Sequence, residues 1–253
     1  MDAPSDNTFI ELRNVHKKLG WQHILRGINR KVNRGETLVI IGPSGEGKTV
    51  MMKHVIGLMR ADSGEVIVDG THIERMRERD MKPIRAKVSM MFQNAALFDS
   101  MTVEENIAFP LVESGIRDRK EIRDRVKEAL EVVDLAEHGS KLPVNLSGGM
   151  RKRAGIARAN VTRSQCILYD EPTASLDPMV SDVIDQMILR LQKRYHVTSL
   201  VVTHDMKSMF KIADRIAMLK DGVIRFLGTP DELRASSDPL VHDFIEGRSG
   251  VTA

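Results

Sequence analysis

The sequence predicts an α/β protein whose mainly parallel sheet is covered on both faces. A chain of 253 residues, 42% hydrophobic and 29% charged, is long enough for one large domain with a buried core. Short apolar runs alternate with helical patterns over most of its length, which is typical of a parallel sheet. Between about residues 93 and 160 the pattern is helical without strands, which predicts a helical insertion into this α/β core.

Strand patterns dominate the first 92 residues. Turn residues separate short apolar runs there, and these runs predict strands at residues 9–12, 24–32, 37–41, 65–68 and 88–92. Asp69-Gly70 is a turn signal that closes the fourth of them. A helix is predicted at residues 49–59, directly after a glycine-rich segment.

Helical spacing characterises the middle of the chain, and the alternation then resumes. The predicted helices are residues 103–112, 119–135, 147–161, 179–194 and 206–213. The predicted strands of this half are residues 167–169, 199–202, 215–219 and 223–226. The last two flank Lys220-Asp221-Gly222, which indicates a hairpin.

Composition and charge exclude several functional classes. The formal net charge is only +3, so nothing electrostatic favours a nucleic-acid partner, and we expect no nucleic acid. No apolar run approaches the ~18 residues that a membrane-spanning helix needs. The N-terminal residues lack the features of a secretion signal. The single cysteine, Cys166, fits a packing role in a reducing compartment, so we expect a soluble cytoplasmic domain.

A phosphate-loop motif follows the third predicted strand. Residues 42–49 read G-P-S-G-E-G-K-T and match G-x-x-x-x-G-K-[ST], in which glycines let successive N–H groups turn toward phosphate oxygens. The alternative is a glycine-rich turn that matches by chance, but a buried strand before it and an apolar helix after it favour a nucleotide site. The predicted nucleotide contacts are Gly42, Pro43, Ser44, Gly45, Glu46, Gly47, Lys48, Thr49 and Val50.

Two adjacent acids end the strand predicted at residues 167–169. Ligands of open α/β sheets bind at the carboxyl ends of the strands, so Asp170 and Glu171 should face the nucleotide. Consecutive strand residues point in opposite directions, so the two acids can have different tasks. Asp170 suits the shell of a Mg²⁺ ion, and Glu171 can polarise an attacking water. The alternative is a solvated strand end before a turn at Pro172.

Leu146-Ser147-Gly148-Gly149-Met150 opens a helix rich in Arg and Ala, and it resembles the signature motif of the ABC ATPases. A serine hydroxyl and flexible N–H groups at a helix N-terminus can form an anion site. Ser147, Gly148 and Gly149 are therefore further predicted nucleotide contacts. The alternative is that Ser147 is an ordinary N-cap.

Other positions follow the order of the same family. Gln93 resembles the glutamine of the Q-loop, Ser175-Leu176-Asp177 resembles the D-loop, and His204 resembles the switch histidine. The catalytic residues that this resemblance implies are Lys48, Gln93, Glu171 and His204. The implied Mg²⁺ contacts are Thr49, Gln93 and Asp170.

The resemblance also implies an architecture and an assembly. It implies one ABC ATPase domain over residues 1–253, a phosphate-loop NTPase with a RecA-like core and an N-terminal antiparallel β subdomain. Core and β subdomain would span about residues 8–92 and 161–247, the helical subdomain about 93–160, and a short tail 248–253. The implied cofactors are ATP and Mg²⁺. Two copies would form a head-to-tail dimer in which each ATP lies between one phosphate loop and the other copy's signature motif.

Two positions depart from the family pattern, and one of them narrows the resemblance. Leu19 stands where the family usually has an aromatic residue that stacks on adenine, with Trp21 two residues later. Met150 replaces the commoner glutamine of the signature. With residues 91–100, 106–111 and 228–233, it makes the chain similar to the Mla/Mce phospholipid-transport ATPases. That similarity implies a peripheral protein on the cytoplasmic side of the inner membrane, with a membrane permease and MCE-domain and STAS-domain proteins as partners.

Several alternatives stay open at this point. The ATPase of a small-solute importer is the nearest, and a soluble ABC protein acting on ribosomes or DNA is more distant. Residues 94–111 are a candidate segment for docking the permease, unless Leu97, Phe98 and Phe109 belong to the core of the helical insertion. The run Arg151-Lys152-Arg153 is predicted to be a solvated helix face, and the fifteen methionines are predicted to fill the core.

Overall fold

Two sheets of different kinds form the framework of residues 7–248, the part of the chain that the computed structural model describes. The strands are β1 (Thr8–Leu19), β2 (Gln22–Asn33), β3 (Thr37–Ile41), β4 (Ser63–Val68), β5 (Thr71–His72), β6 (Val88–Met91), β7 (Cys166–Asp170), β8 (Thr198–Val202), β9 (Arg215–Lys220) and β10 (Val223–Gly228). The helices are α1 (Lys48–Val55), α2 (Lys82–Lys87), α3 (Val103–Ser114), α4 (Arg119–Val132), α5 (Gly148–Asn160), α6 (Pro178–Tyr195), α7 (Met206–Ile212), α8 (Pro230–Arg234) and α9 (Pro239–Ile245). Short 3₁₀ helices lie at Glu78–Asp80, Ala136–His138 and Pro143–Asn145.

The larger sheet is the predicted parallel sheet. Its strand order is β10-β9-β3-β8-β7-β6, with β10 antiparallel to β9 and every other pairing parallel. All residues of β3, β7 and β8 are buried. Helices cover one face of this sheet, and the smaller sheet with α1 covers the other. The carboxyl ends of β3, β7 and β8 therefore meet at one edge, which is where the candidate site lies.

The smaller sheet is antiparallel, in the order β2-β1-β4-β5. Strands β1 and β2 are twelve residues each and are joined by a tight turn at Gly20 and Trp21. They are longer than the strands predicted at residues 9–12 and 24–32. The reason is that several register shifts along the pair break the apolar alternation while preserving the pairing.

Three helices, α3, α4 and α5, lie between β6 and β7, in the segment predicted to be a helical insertion. Helix α3 begins with a capping box in which Thr102 accepts from the backbone N–H of Glu105 and the Glu105 carboxylate accepts from the N–H of Thr102. It ends at Gly115, whose φ of 103° is in the left-handed region. Val126 and Leu130 of α4 are buried.

The remaining differences concern short elements. Helix α1 ends at Val55, four residues before the predicted end, because Gly57 adopts a φ of 69° that a helix cannot continue through. Elements β5, α2, α8 and α9 were not predicted. These elements have two to seven residues, too few to show a period.

Three further predictions concern core residues, membrane-spanning helices and the C-terminal tail. Cys166, Met51 and Met52 are buried, as predicted for packing residues, but the prediction is wrong for Met179, which is 81% exposed. Within the described residues no helix is both long and apolar enough to cross a bilayer. The predicted tail lies outside them except for Arg248.

Candidate nucleotide site

The phosphate loop leaves the buried strand β3 and enters α1, and glycine is required at both of its ends. A Cβ on Gly42, whose φ is 140°, would lie 2.1 Å from the carbonyl oxygen of Leu219 in β9. A Cβ on Gly47, whose φ is 96°, would lie 2.4 Å from Cγ2 of Ile24. The loop is therefore held tightly between β9 and β2, in a conformation that side chains at these positions would prevent.

Lys48 lies inside the loop and is only 8% exposed. Its Nζ donates to the carbonyl oxygens of Gly42 and Pro43, both at 2.7 Å. Burial lowers the pKa of this lysine, although the negative charges of Glu171, Glu46 and Asp170 act in the opposite direction. A cation withdrawn from water into a loop with uncapped N–H groups favours an anionic ligand.

Asp170 ends β7 directly beside the first residues of α1. The hydroxyl of Thr49 donates to Oδ1 of Asp170 at 2.9 Å, and burial raises the pKa of this carboxyl. No group of three or more His, Cys, Asp or Glu side chains in the described residues could hold a metal ion by itself. One hydroxyl and one carboxylate fit a magnesium ion that takes its other ligands from phosphates and water.

Glu171 contacts a different set of atoms from its neighbour. Its φ of 51° is left-handed, and its N–H donates to the carbonyl oxygen of Val202 at 2.9 Å. Nδ1 of His204 lies 2.8 Å from Oε2 of Glu171, and the backbone N–H of His204 donates to the same oxygen at 3.4 Å. The adjacent acids thus contact different groups, a hydroxyl and an imidazole, as predicted. The reason is not alternation on a strand, because β7 ends at Asp170 and Glu171 is left-handed.

A cleft of about 390 Å³ brings most of the predicted residues together. Its lining consists of Leu19, Ile24, Ser44, Gly45, Gly47, Lys48, Thr49, Val50, Gln93, Glu171, Val202 and His204. Gly42, Pro43 and Glu46 are not part of this lining, and the Glu46 side chain points to the β9–β10 turn instead. Leu19 therefore lies where a nucleotide base could pack, whereas Trp21 is fully exposed on the β1–β2 turn.

The signature motif does not reach this cleft within one chain. Ser147 caps α5 by accepting from the N–H of Met150 at 3.3 Å, as its interpretation as an N-cap requires. A Cβ on Gly149 would lie 2.4 Å from Cγ1 of Val180, so α5 packs closely against α6 there. Asp177, in the segment resembling the D-loop, caps α6 by accepting from the N–H groups of Met179 and Val180 at 3.0 Å.

The prediction of a solvated face at residues 151–153 is wrong for Lys152. This lysine is 7% exposed, and its Nζ donates to the carbonyl oxygens of Gln93 and, at 2.8 Å, Glu171. Burial lowers its pKa, against the attraction of Glu171 and Asp170. A run of three charged residues usually indicates a solvated helix face. Only the fold shows that α5 directs Lys152 toward the site.

Its two neighbours also bind backbone carbonyls. Arg151 donates to the carbonyl oxygen of Leu146 at 2.7 Å, and Arg153 donates to those of Val133 and Asp134, both at 3.1 Å. Lys152 and Arg153 therefore hold α5 to neighbouring segments, whereas Arg151 binds the residue just before α5.

Comparisons with known proteins agree with this geometry. The family model described as ABC transporter matches residues 25–174. The chain is 38% identical to the "Probable ribonucleotide transport ATP-binding protein mkl" of Mycobacterium leprae, over 94% of this chain and 69% of that protein. It is 40% identical to the "Methionine import ATP-binding protein MetN" of Rhizobium etli, over 85% and 59%. It is 35% identical to the "Intermembrane phospholipid transport system ATP-binding protein MlaF" of Haemophilus influenzae, over 96% and 92%.

A solved structure has the same fold. It is a dimeric ATP-binding cassette in a post-hydrolysis state, bound to ADP and Pi. It superimposes with a TM-score of 0.81 at 32% identity, over 87% of this chain and 98% of that one.

Proposed function

This chain belongs to the ABC transporter family of ATP-binding subunits, and on that premise we propose that it hydrolyses ATP to drive phospholipid transport between the inner and outer membranes of a bacterial cell. The observation that carries the ATPase activity is the convergence of Lys48, Thr49, Glu171 and His204 on one cleft. For phospholipids, the support is the relative named for phospholipid transport, since this chain matches 92% of its length but only 69% and 59% of the two named for other solutes.

The residues of the cleft divide the work of phosphoryl transfer to water. The loop N–H groups and Lys48 hold the phosphates, and Thr49 and Asp170 would hold Mg²⁺. Bound Mg²⁺ neutralises charge on the phosphate oxygens. Glu171 polarises the attacking water, and His204 fixes the Glu171 carboxylate through the contact at 2.8 Å. Gln93, on the wall of the cleft, completes the surroundings of that water.

The site is completed by a second copy of the chain. Ser147, Gly148 and Gly149 lie at the N-terminus of α5, away from the cleft of their own chain. A head-to-tail dimer would bring these residues of one copy against the phosphates bound by the other. ATP would then hold two copies together, and hydrolysis would release them, which converts the reaction into motion of an attached permease.

A second and larger cleft, of about 770 Å³, is our proposed docking place for that permease. It lies between the β6 side of the larger sheet and the inserted helices, and Phe92, Ala95 and Pro110 are part of its lining. Within the proposed docking segment 94–111, Phe98 and Phe109 instead contact each other edge to face, with ring centroids 5.0 Å apart. The groove is therefore the surface that a permease would cover, with the 41% exposed ring of Phe98 beside it against Arg158 of the lining.

The experiment is purification of the chain from its native membranes in detergent, followed by identification of bound proteins and lipids. We expect a permease, an MCE-domain protein, a STAS-domain protein and bound phospholipid, on the cytoplasmic side of the inner membrane. A solute-binding protein without phospholipid would overturn the phospholipid assignment and favour the importer alternative. Stable association with nucleic acid and with no membrane protein would overturn the transport function itself.

A further inference from the structure

An ion pair fastens the outside of the phosphate loop to the β9–β10 turn. Oε1 of Glu46 lies 2.9 Å from Nζ of Lys220, and Oε2 of Glu46 accepts from the backbone N–H of Asp221 at 2.6 Å. Both oxygens of the carboxylate are therefore bound, to two consecutive residues of the turn. The Glu46 side chain is only 15% exposed and that of Lys220 is 28% exposed, so solvent screens the pair incompletely.

Glu46 is an unfavourable residue for a loop that binds phosphates. It adds a negative charge between Gly45 and Gly47, and this charge is near enough to Lys48 to raise the pKa of that lysine against the effect of burial. Asp170 and Glu171 also bring negative charge to the site, but they have chemical tasks there. Glu46 has none in the proposed mechanism, and Lys220 is the cation that contacts its carboxylate.

We propose that Lys220 is a positioning residue for nucleotide binding, and that its ammonium neutralises the Glu46 carboxylate and holds it away from the phosphate oxygens of the nucleotide. This inference rests on the proposed nucleotide site. Asp221 assists through its backbone N–H, at a φ of 52° that the tight turn imposes. Lys220 thus acts on the ligand through Glu46 and does not touch it.

The chain offers a matched pair for comparison. Nζ of Lys17 lies 2.8 Å from Oδ1 of Asp62, and Oδ2 of Asp62 accepts from the backbone N–H of Lys18 at 2.6 Å. This carboxylate is thus bound by a lysine and the following N–H, as Glu46 is. The pair acts electrostatically on His54, toward the far end of α1 from the phosphate loop. Loss of its lysine should disturb folding to a similar degree without placing an unpaired charge in the loop.

The test is a double-mutant cycle on the full chain, with Lys220→Met, Glu46→Gln and the double variant. The Kd for MgATP is measured by calorimetry at low temperature in 50 mM and 1 M salt, and thermal unfolding is followed in parallel. We expect Lys220→Met to raise the Kd about ten-fold at low salt, since an unpaired charge close to phosphates is weakly screened there. Glu46→Gln and the double variant should stay within about three-fold of wild type, because neither leaves a free carboxylate in the phosphate loop. Asp221, whose Oδ1 also lies 3.3 Å from Nζ of Lys220, keeps its charge in both variants but lies outside the loop. The ten-fold penalty should shrink at high salt.

The controls separate the possible failures. Lys17→Met should leave the Kd for MgATP within about two-fold of wild type, as its pair is outside the loop. If all three variants of the cycle weaken binding equally, the pair only braces the loop and neutralisation is wrong. An unchanged Kd for Lys220→Met would overturn the inference. Lys48→Ala tests the proposed site itself: if it binds ATP normally, the nucleotide site is misassigned, whatever the cycle shows.

Discussion

Two helix N-termini in this molecule carry glycine-rich motifs, and they differ in what satisfies their N–H groups. Helix α1 follows Gly47, has no side-chain cap, and begins among a buried lysine and two carboxylates. Helix α5 follows Ser147, whose hydroxyl already accepts from an N–H of its first turn. The first end has no side-chain partner for any of its N–H groups, whereas Ser147 binds one N–H group of the second. In the proposed dimer, α1 binds the nucleotide of its own chain, and the N–H groups of α5 that Ser147 does not bind contact the nucleotide of the other copy.

The largest expected effect is on ATP hydrolysis at the α1 site, after ATP has bound. Glu171→Gln keeps the shape and the His204 contact but removes the carboxylate that polarises water. We expect kcat for ATP to fall by about 10²–10³, while the Kd for MgATP changes less than about three-fold. Phosphate release and calorimetry measure the two quantities. Glu65→Gln, an exposed acid paired with Arg13, is the control and should retain normal turnover. Normal turnover in the Glu171 variant would place the general base elsewhere.

The role of the α5 N-terminus is tested by measuring dimer formation. In the Glu171→Gln background, MgATP should convert the chain into a stable dimer, seen as a doubled mass by light scattering. Adding Ser147→Arg should abolish this dimer, because the long side chain blocks the end of α5 that the second copy's ATP must approach. The Kd of the monomer for MgATP should change by less than about three-fold, since its own cleft is untouched. Ser147→Thr keeps the cap hydroxyl and should still dimerise. A dimer that tolerates arginine at this position would contradict the shared site.

A smaller effect is expected from Lys152, which connects α5 to the nucleotide cleft. Lys152→Met should lower kcat about ten-fold with little change in the Kd for MgATP, since its ammonium fixes the backbone at Gln93 and Glu171. Lys152→Arg should recover most of the loss. Arg153→Met is a matched control, because Arg153 also binds two backbone carbonyls, at Val133 and Asp134, but away from the cleft. If both variants lose only stability and keep the same kcat, Lys152 has a structural role alone.

The parallel sheet and the central residues of the site were predictable because their signals are local. Strand β3, the phosphate loop and α1 are consecutive in the sequence, and the phosphate-loop motif requires a strand before it and a helix after it. The ends of β1 and β2 were not predictable, because register shifts interrupt the alternation of apolar and polar residues along these strands. The roles of Lys152 and Lys220 were also missed, since their partners lie up to 174 residues away in sequence. Such groups come together only in the folded protein. The local sequence does not distinguish these two lysines from ordinary surface charges.

The close approach of Gly42 to Leu219 also constrains how this protein can change over generations. Every missense change of a glycine codon adds at least a Cβ, and at this position that atom would occupy the space of a backbone carbonyl 2.1 Å away. A carbonyl in the middle of a sheet cannot turn aside as a side chain can. We therefore expect no tolerated substitution at Gly42. The contact itself does not constrain the side chain at position 219, because only the backbone of Leu219 takes part in it.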